Sequence, residues 1–138
     1  MNRLIATLKE NECKVTLQRI AIYETLKNTK AHPNAEAIYK QLSPKYPTIS
    51  LATVYKSLEL FVSLGLIQAI NVEENSFRYD GNSKPHPHLI CSNCEKVEDL
   101  DEHPFADLCQ EVEALSGYNI EKQQLNFYGR CPDCTQKS

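Results

Sequence analysis

Two CxxC pairs, Cys91-Ser92-Asn93-Cys94 and Cys131-Pro132-Asp133-Cys134, constrain this chain more than any other feature of its sequence. Each pair presents two thiols from one tight turn, and zinc takes four thiolates in a tetrahedron. Ser, Asn, Pro and Asp between the thiols are turn-forming residues. Residues 95 to 130 separate the pairs, a longer stretch than a compact zinc ribbon uses, so an intervening fold must bring the knuckles together. Two disulfides, two reduced dithiols or a thioredoxin-like redox role for one pair are the rival readings. Both pairs occur in one chain without signs of export, which favours a structural zinc ion held by Cys91, Cys94, Cys131 and Cys134. Just ahead of the first pair, His86-Pro87-His88 adds imidazole ligands to the same half.

Length and charge set the surroundings of that site. With 138 residues, 41% of them hydrophobic, and no low-complexity tract, the chain suits one ordinary domain or two small ones. No segment approaches membrane-spanning length, so a reducing cytoplasm is the expected location and no membrane partner is expected. Cys13 and Cys109 lack CxxC partners and read as buried or idle thiols. The net charge of −3 is uneven: residues 1 to 71 hold nine Lys and Arg against five Asp and Glu, and the remainder holds six against thirteen. A basic first half suits a nucleic-acid binder, and an acidic second half suits cation binding.

Periodicity in the first half predicts helices at short spacing. Thr16 caps a helix with Ile20, Ile22, Tyr23 and Leu26 on its apolar face; His32-Pro33-Asn34 breaks it, and Ala35 to Leu42 form the next. After the turn from Pro44 to Pro47, Ser50 caps a helix from Leu51 to Leu64 that turns Val54, Leu58, Phe61 and Val62 inward and ends at Gly65. Strands at Leu66 to Val72 and Phe77 to Asp80, joined by the polar turn Glu73 to Ser76, complete a winged helix-turn-helix. The last helix before the wing is the reader, with Ser50, Thr53, Tyr55 and Lys56 near its N-terminal end as candidate DNA contacts. Tyr55 is expected to face outward because Val54 is the better inward residue, and Lys14 and Arg19 are expected to meet phosphate or minor groove.

Residues 81 to 85 have the composition of a hinge between a DNA-binding domain, 1–80, and a second domain, 86–138. Beyond the hinge, strands are expected at His86 to Cys91 and Lys96 to Leu100, an amphipathic helix at Pro104 to Leu115, and a strand within Tyr118 to Tyr128. The fold class is therefore α+β: a winged helix followed by a small α/β domain organised around zinc.

These residues together resemble the ferric uptake regulator (Fur) family of metal-dependent repressors over essentially the whole chain. The resemblance is carried by Lys14 to Arg19 (KVTLQR), Ala31-His32-Pro33 with Ile38-Tyr39, Ser50 to Leu58 (SLATVYKSL), and Phe77 to Asp80 (FRYD). It continues through His86-x-His88-Leu89-Ile90-Cys91, Tyr128-Gly129 and the last CxxC. It implies a homodimeric repressor that binds an inverted-repeat operator on double-stranded DNA, with a structural zinc and a regulatory metal site between the domains. The family's regulatory ligands fall on His32, Asp80, His86, His88 and Asp99. His86 and His88 lie two apart on an expected strand and so share a side, and three imidazoles with two carboxylates suit iron(II) or manganese(II).

Asp99 is the residue that separates branches of the family. An aspartate there resembles the peroxide-sensing regulators, in which iron(II) reacts with peroxide and a ligand histidine is oxidised; His32 and His86 are the expected targets. Iron-sensing relatives more often have glutamate, and the iron sensor is the alternative reading. Their additional site uses an HHDH cluster and a histidine shortly before the final Tyr-Gly. Here those places read Pro85 to His88 and Gln123-Gln124, so that site is expected to be missing. A metalloenzyme is the third reading and the weakest, since the chain has no phosphate-cradling glycine loop, nucleophile elbow or Ser/His/Asp arrangement.

Overall fold

In the first half of the chain every helix start coincides with a side chain able to take an orphan backbone N–H, apart from the first helix. The computed structural model describes residues 2–73, 76–82, 84, 86–100 and 107–136. It divides into two units, Met1–Ser83 and Lys84–Ser138.

The first unit runs α1 (Asn2–Glu10), α2 (Leu17–Lys27), α3 (Ala35–Leu42), α4 (Leu51–Ser63), β1 (Gln68–Glu73) and β2 (Ser76–Asp80). Thr16, Asn34 and Ser50 accept hydrogen bonds from the backbone N–H groups of Arg19, Ala37 and Thr53, which fixes where α2, α3 and α4 begin. Gly65, at φ +73°, takes the left-handed conformation that ends α4 and turns the chain into β1. The core gathers Ile22 and Leu26 of α2, Ile38 of α3, and Val54, Leu58 and Phe61 of α4. Tyr23 meets Phe61 edge-on, with ring centroids 5.8 Å apart. β1 pairs antiparallel with β2 in the register Gln68↔Asp80 to Glu73↔Ser76, and Glu74 and Asn75 of the expected turn lie outside the described residues. The helices α2, α3 and α4 with the hairpin wing make a winged helix-turn-helix, to which α1 adds a fourth helix.

One element of it was not legible. Residues 1 to 10 read as a short apolar stretch cut off by Lys9 and Glu10, whereas the structure makes Asn2–Glu10 helical, with Leu4 and Leu8 fully buried in the core. Their spacing of four places both on one face, but a single pair of apolar residues gives too little periodicity to announce a helix.

The second unit runs β3 (His88–Cys91), β4 (Val97–Asp99), α5 (Leu108–Ser116), β5 (Asn126–Gly129) and α6 (Pro132–Gln136). Its sheet has the order β4-β3-β5, with β3 antiparallel to β4 and parallel to β5. Both expected strands around the first knuckle form but are shorter than foreseen. Of the expected helix from Pro104, residues 104 to 106 lie outside the described residues and the rest is α5, closed by Gly117 at φ +78°. The last strand is confined to Asn126–Gly129, with residues 118–125 irregular, and the second knuckle enters a helix instead of a simple turn, with Pro132 at its first position.

Replacing Leu8 by Ala is expected to lower the unfolding free energy by about 2–5 kcal/mol, since it deletes a fully buried side chain. Leu17→Ala, at a residue 74% exposed, is expected to change it by about 0.5 kcal/mol or less in the same denaturant titration. Equal effects would mean that α1 is not part of the core.

Candidate functional site

β3 delivers Cys91 at its end, and the turn that follows delivers Cys94; β5 and the entry to α6 deliver Cys131 and Cys134. The parallel pairing of β3 with β5, which sets Cys91 beside Gly129, brings together knuckles that are far apart in sequence. Ser92 N–H donates to Gly129 O (2.6 Å) and locks that approach. All four Sγ atoms lie within 4.8 Å of one another. Cys91 and Cys134 are 3.7 Å apart and Cys94 and Cys131 3.8 Å.

Those distances choose between the readings of the CxxC pairs. A disulfide needs about 2.05 Å between sulfurs. A tetrahedron with zinc–sulfur bonds of about 2.3 Å has edges of about 3.8 Å. The short contacts also join one knuckle to the other, which neither a CxxC disulfide nor a thioredoxin-like dithiol would do. The residues fit zinc.

The backbone has prepared the site for thiolates. N–H groups of Cys94 and Cys131 point at Cys91 Sγ, 3.4 Å from each nitrogen, and bring its thiol down to about 5. At Cys94 the Lys96 N–H also lowers the thiol, but the surrounding thiols of Cys91, Cys134 and Cys131, together with burial, outweigh it and push Cys94 up to about 11. Crowded thiolates repel, and a dication at their centre removes that penalty. Asn93 Nδ2 donates to Cys134 Sγ (3.3 Å), a supporting contact the sequence did not announce.

The His and Asp candidates form one group within each unit. In the first, His32 Nε2 lies 3.4 Å from Asp80 Oδ2, and both residues are buried. His32 has φ +53°, a conformation rare for a residue with a Cβ. Arg78 holds it there: the guanidinium donates through Nε to the His32 carbonyl and through Nη2 to Ala31 O (2.8 Å), while Tyr79 N–H donates to Pro33 O (3.0 Å). Asp80 is fixed by Asn82 N–H, which donates to Oδ1 (2.9 Å). Gly81 follows because a Cβ there would lie 2.8 Å from Leu26 O. Arg78 stood within a recognisable motif, but its role as the clamp on the His32 segment was missed.

In the second unit the register His88↔Asp99 puts those residues directly opposite each other on β3 and β4. His88 Nε2 and His86 Nε2 lie 3.3 and 3.0 Å from the same atom, Asp99 Oδ1. His86 Nδ1 lies 2.7 Å from Lys84 O. A carbonyl only accepts, so Nδ1 would carry the proton there, and with a cation set between Nε2 and Asp99 Oδ1 the Nε2 lone pair would be the one offered to it. Two imidazole nitrogens and a carboxylate oxygen converging on one point form the inner arrangement that a divalent cation takes.

The DNA candidates lie at the starts of α2 and α4. Ser50 Oγ caps α4 and lies 2.9 Å from Thr53 Oγ1, so one of the two hydroxyls donates to the other and the second keeps its own hydrogen out of that contact. Lys56 is exposed, and Tyr55 is 38% exposed, on the outer face as expected. Its phenol donates to Glu36 Oε1 of α3 (2.6 Å). That bond holds the Glu36 carboxyl below the usual carboxylate range and, with the charge of Glu36, raises the Tyr55 phenol. Glu36 was not foreseen, since nothing in the spacing of residues 36 and 55 links them. Lys14 is exposed and Arg19 half-buried, with Arg19 Nη1 donating to Lys14 O (2.6 Å). Gln18 Nε2 donates to Thr48 Oγ1 (3.4 Å), which ties the start of α2 to the approach to α4.

Comparison with known proteins places this arrangement. The model of the ferric uptake regulator family matches residues 10–128. The transcriptional regulator PerR of Clostridium acetobutylicum is 46% identical, with the whole of each chain covered. The peroxide operon regulator of Bacillus subtilis is 38% identical over 99% of this chain and 94% of its own length. The crystal structure of the Campylobacter jejuni peroxide stress regulator superposes with a TM-score of 0.77 at 33% identity, covering 95% of this chain and 98% of that one. The chain belongs to the ferric uptake regulator family. It is a transcriptional regulator and not an enzyme, which removes the metalloenzyme reading.

Reduced, folded protein is expected to carry one tightly held zinc per chain. Cys91→Ser and Cys131→Ser are each expected to abolish that stoichiometry and to lower the melting temperature, as followed by metal analysis and calorimetry. Reduced, folded protein free of zinc would contradict the assignment.

Proposed function

We propose that this chain is a metal-dependent repressor that releases its operator when peroxide oxidises its own histidines. The observation that carries the reading is the convergence of His86 and His88 on Asp99 in one unit, together with the buried His32–Asp80 pair in the other. Iron(II) or manganese(II) held by His32, Asp80, His86, His88 and Asp99 would clasp a DNA-binding domain, residues 1–80, to a second domain, residues 86–138, across the hinge 81–85. Zinc held by the four cysteines is structural in this reading.

The exposed apolar surface of the second unit supports assembly as a homodimer. Among the described residues α5 has none buried, Leu115 is 89% exposed and Tyr118 71%. Leu89 and Phe127, on neighbouring strands, are also exposed. A twofold dimer carries two reading helices, and its matching operator is an inverted repeat on double-stranded DNA. Ser50, Thr53, Tyr55 and Lys56 read or position on the bases, and Lys14 and Arg19 supply salt-dependent contacts. No helix among the described residues is long and apolar enough to cross a membrane, in keeping with a cytoplasmic regulator.

Peroxide is favoured over iron as the signal by Asp99 and by the peroxide-regulator relatives. Iron(II), if held by these five ligands, would mediate a two-electron exchange in which one oxygen of peroxide replaces a ring C–H with C–OH on a ligand imidazole and the other leaves as water. His32 and His86, whose rings lie against Asp80 and Asp99, are the proposed targets of that oxygen. An oxidised ring is a poorer donor, so the clasp opens and the two domains lose the relation that DNA requires. Acidification acts on the same donors, since a protonated imidazole cannot coordinate.

Peroxide applied to the iron-loaded protein is expected to add one oxygen to His32 or His86 and to abolish DNA binding, while manganese-loaded protein resists; peptide mass spectrometry and anisotropy on DNA follow the two effects. Asp99→Glu is expected to reduce peroxide sensitivity more than metal-dependent repression. Intact histidines, with DNA release that tracks iron depletion alone, would establish the iron sensor instead.

A further inference from the structure

A carboxylate beside a DNA-reading side chain is costly, because phosphates repel it and no counterion is released by it. Glu36 is such a group. It is exposed in the first turn of α3, and its Oε1 accepts the proton of the Tyr55 phenol at 2.6 Å, a charge-assisted length. Beside the pair lies a cleft of about 110 Å³ bounded by Asn34 and Ala35 on the α3 side and by Phe77 and Tyr79 of the wing. The Tyr55 ring therefore has room to turn, and the bond to Glu36 is the polar contact that stops it.

We propose that Glu36 is a positioning residue for sequence reading: it fixes the Tyr55 ring on α4 by accepting the phenol's hydrogen bond, so that Tyr55 meets the bases as an acceptor and an apolar edge. The inference rests on α4 being the reading helix. A phenol has one donor hydrogen and acceptor lone pairs, and with the hydrogen committed only the lone pairs remain. In the major groove an acceptor selects the amino groups of adenine N6 or cytosine N4, and a ring edge fits the thymine methyl. A donor-free Tyr55 is thus turned away from guanine O6 and N7, which an unrestrained phenol could approach as a donor. Holding the ring before DNA arrives also removes the ordering cost of an exposed aromatic side chain from the binding step.

The test compares Glu36→Ala, Glu36→Gln, Tyr55→Phe and Glu36→Ala/Tyr55→Phe in manganese-loaded protein. Affinity is measured for a duplex selected from a random library by the wild-type protein and for a shuffled duplex of the same composition. Glu36→Gln removes the charge but keeps an oxygen for the phenol, so it separates positioning from electrostatics. Glu36→Ala is expected to lower the preference for the selected duplex about tenfold, the size of one lost base contact. Glu36→Gln is expected to keep the wild-type preference while tightening both duplexes alike. Adding Glu36→Ala to Tyr55→Phe is expected to cost nothing more. The proposal is overturned if Glu36→Ala leaves the preference for the selected duplex unchanged and shifts both duplexes equally, as Glu36→Gln is expected to, or if the losses of Glu36→Ala and Tyr55→Phe add. A wild-type protein that selects no sequence at all would overturn the DNA-reading assignment itself, and Glu36 with it.

Discussion

Four thiols held at tetrahedral spacing are what the second unit depends on. Its apolar interior is slight: Pro87, Ile90, Val97 and the cysteines Cys91 and Cys134 are its buried apolar residues among those described, and α5 contributes none. A unit this small, with so little apolar area removed from water, needs a staple. The cluster supplies it by joining the end of β3 to the chain beyond β5, so the sheet that presents His88 and Asp99 is closed by the same four sulfurs. A zinc ion held there would fix the turn between β3 and β4, the two strands on which His88 and Asp99 face each other.

Register and backbone conformation do the rest of the positioning. His88 and Asp99 face each other because they are paired residues of adjacent antiparallel strands. His32 and Asp80 meet because Arg78 and Tyr79 of β2 hold the Ala31–Pro33 backbone, including a histidine in the left-handed region. Such a conformation costs about 1–3 kcal/mol and persists only where neighbours enforce it. Asp80, His88 and Asp99 lie on strands, whereas His32 lies between α2 and α3 and His86 just before β3.

Much of this was legible in the sequence because it was written in short-range chemistry. Caps at Thr16 and Ser50, the break at His32-Pro33-Asn34 and the left-handed Gly65 mark helix ends from within a few residues, and the CxxC pairs carry their own geometry; that Asn34 also caps α3 came from the structure. Features that depend on distant partners were not legible. α1 is defined by where Leu4 and Leu8 pack, α6 by the second knuckle, and the Arg78 clamp and the Glu36–Tyr55 bond join segments 46, 47 and 19 residues apart. Tyr55 could be read as outward-facing from Val54 beside it, but its commitment to a carboxylate could not. The second unit was overestimated in its regular structure for the same reason: residues 118–125 alternate well enough for a strand, yet within the unit the pairing with β3 extends only over Asn126–Gly129.

In the proposed clasp one ion draws ligands from both units, and counting imidazoles around it is the direct test. Manganese(II)-loaded protein labelled with nitrogen-15 histidine can be studied by pulsed electron–nuclear resonance, which resolves each nitrogen bound to the metal. Three coordinated nitrogens are predicted, falling to two in His32→Ala with the zinc content unchanged. Two nitrogens in the unsubstituted protein, unaffected by His32→Ala, would mean that the metal belongs to the second unit alone and that the clasp does not exist.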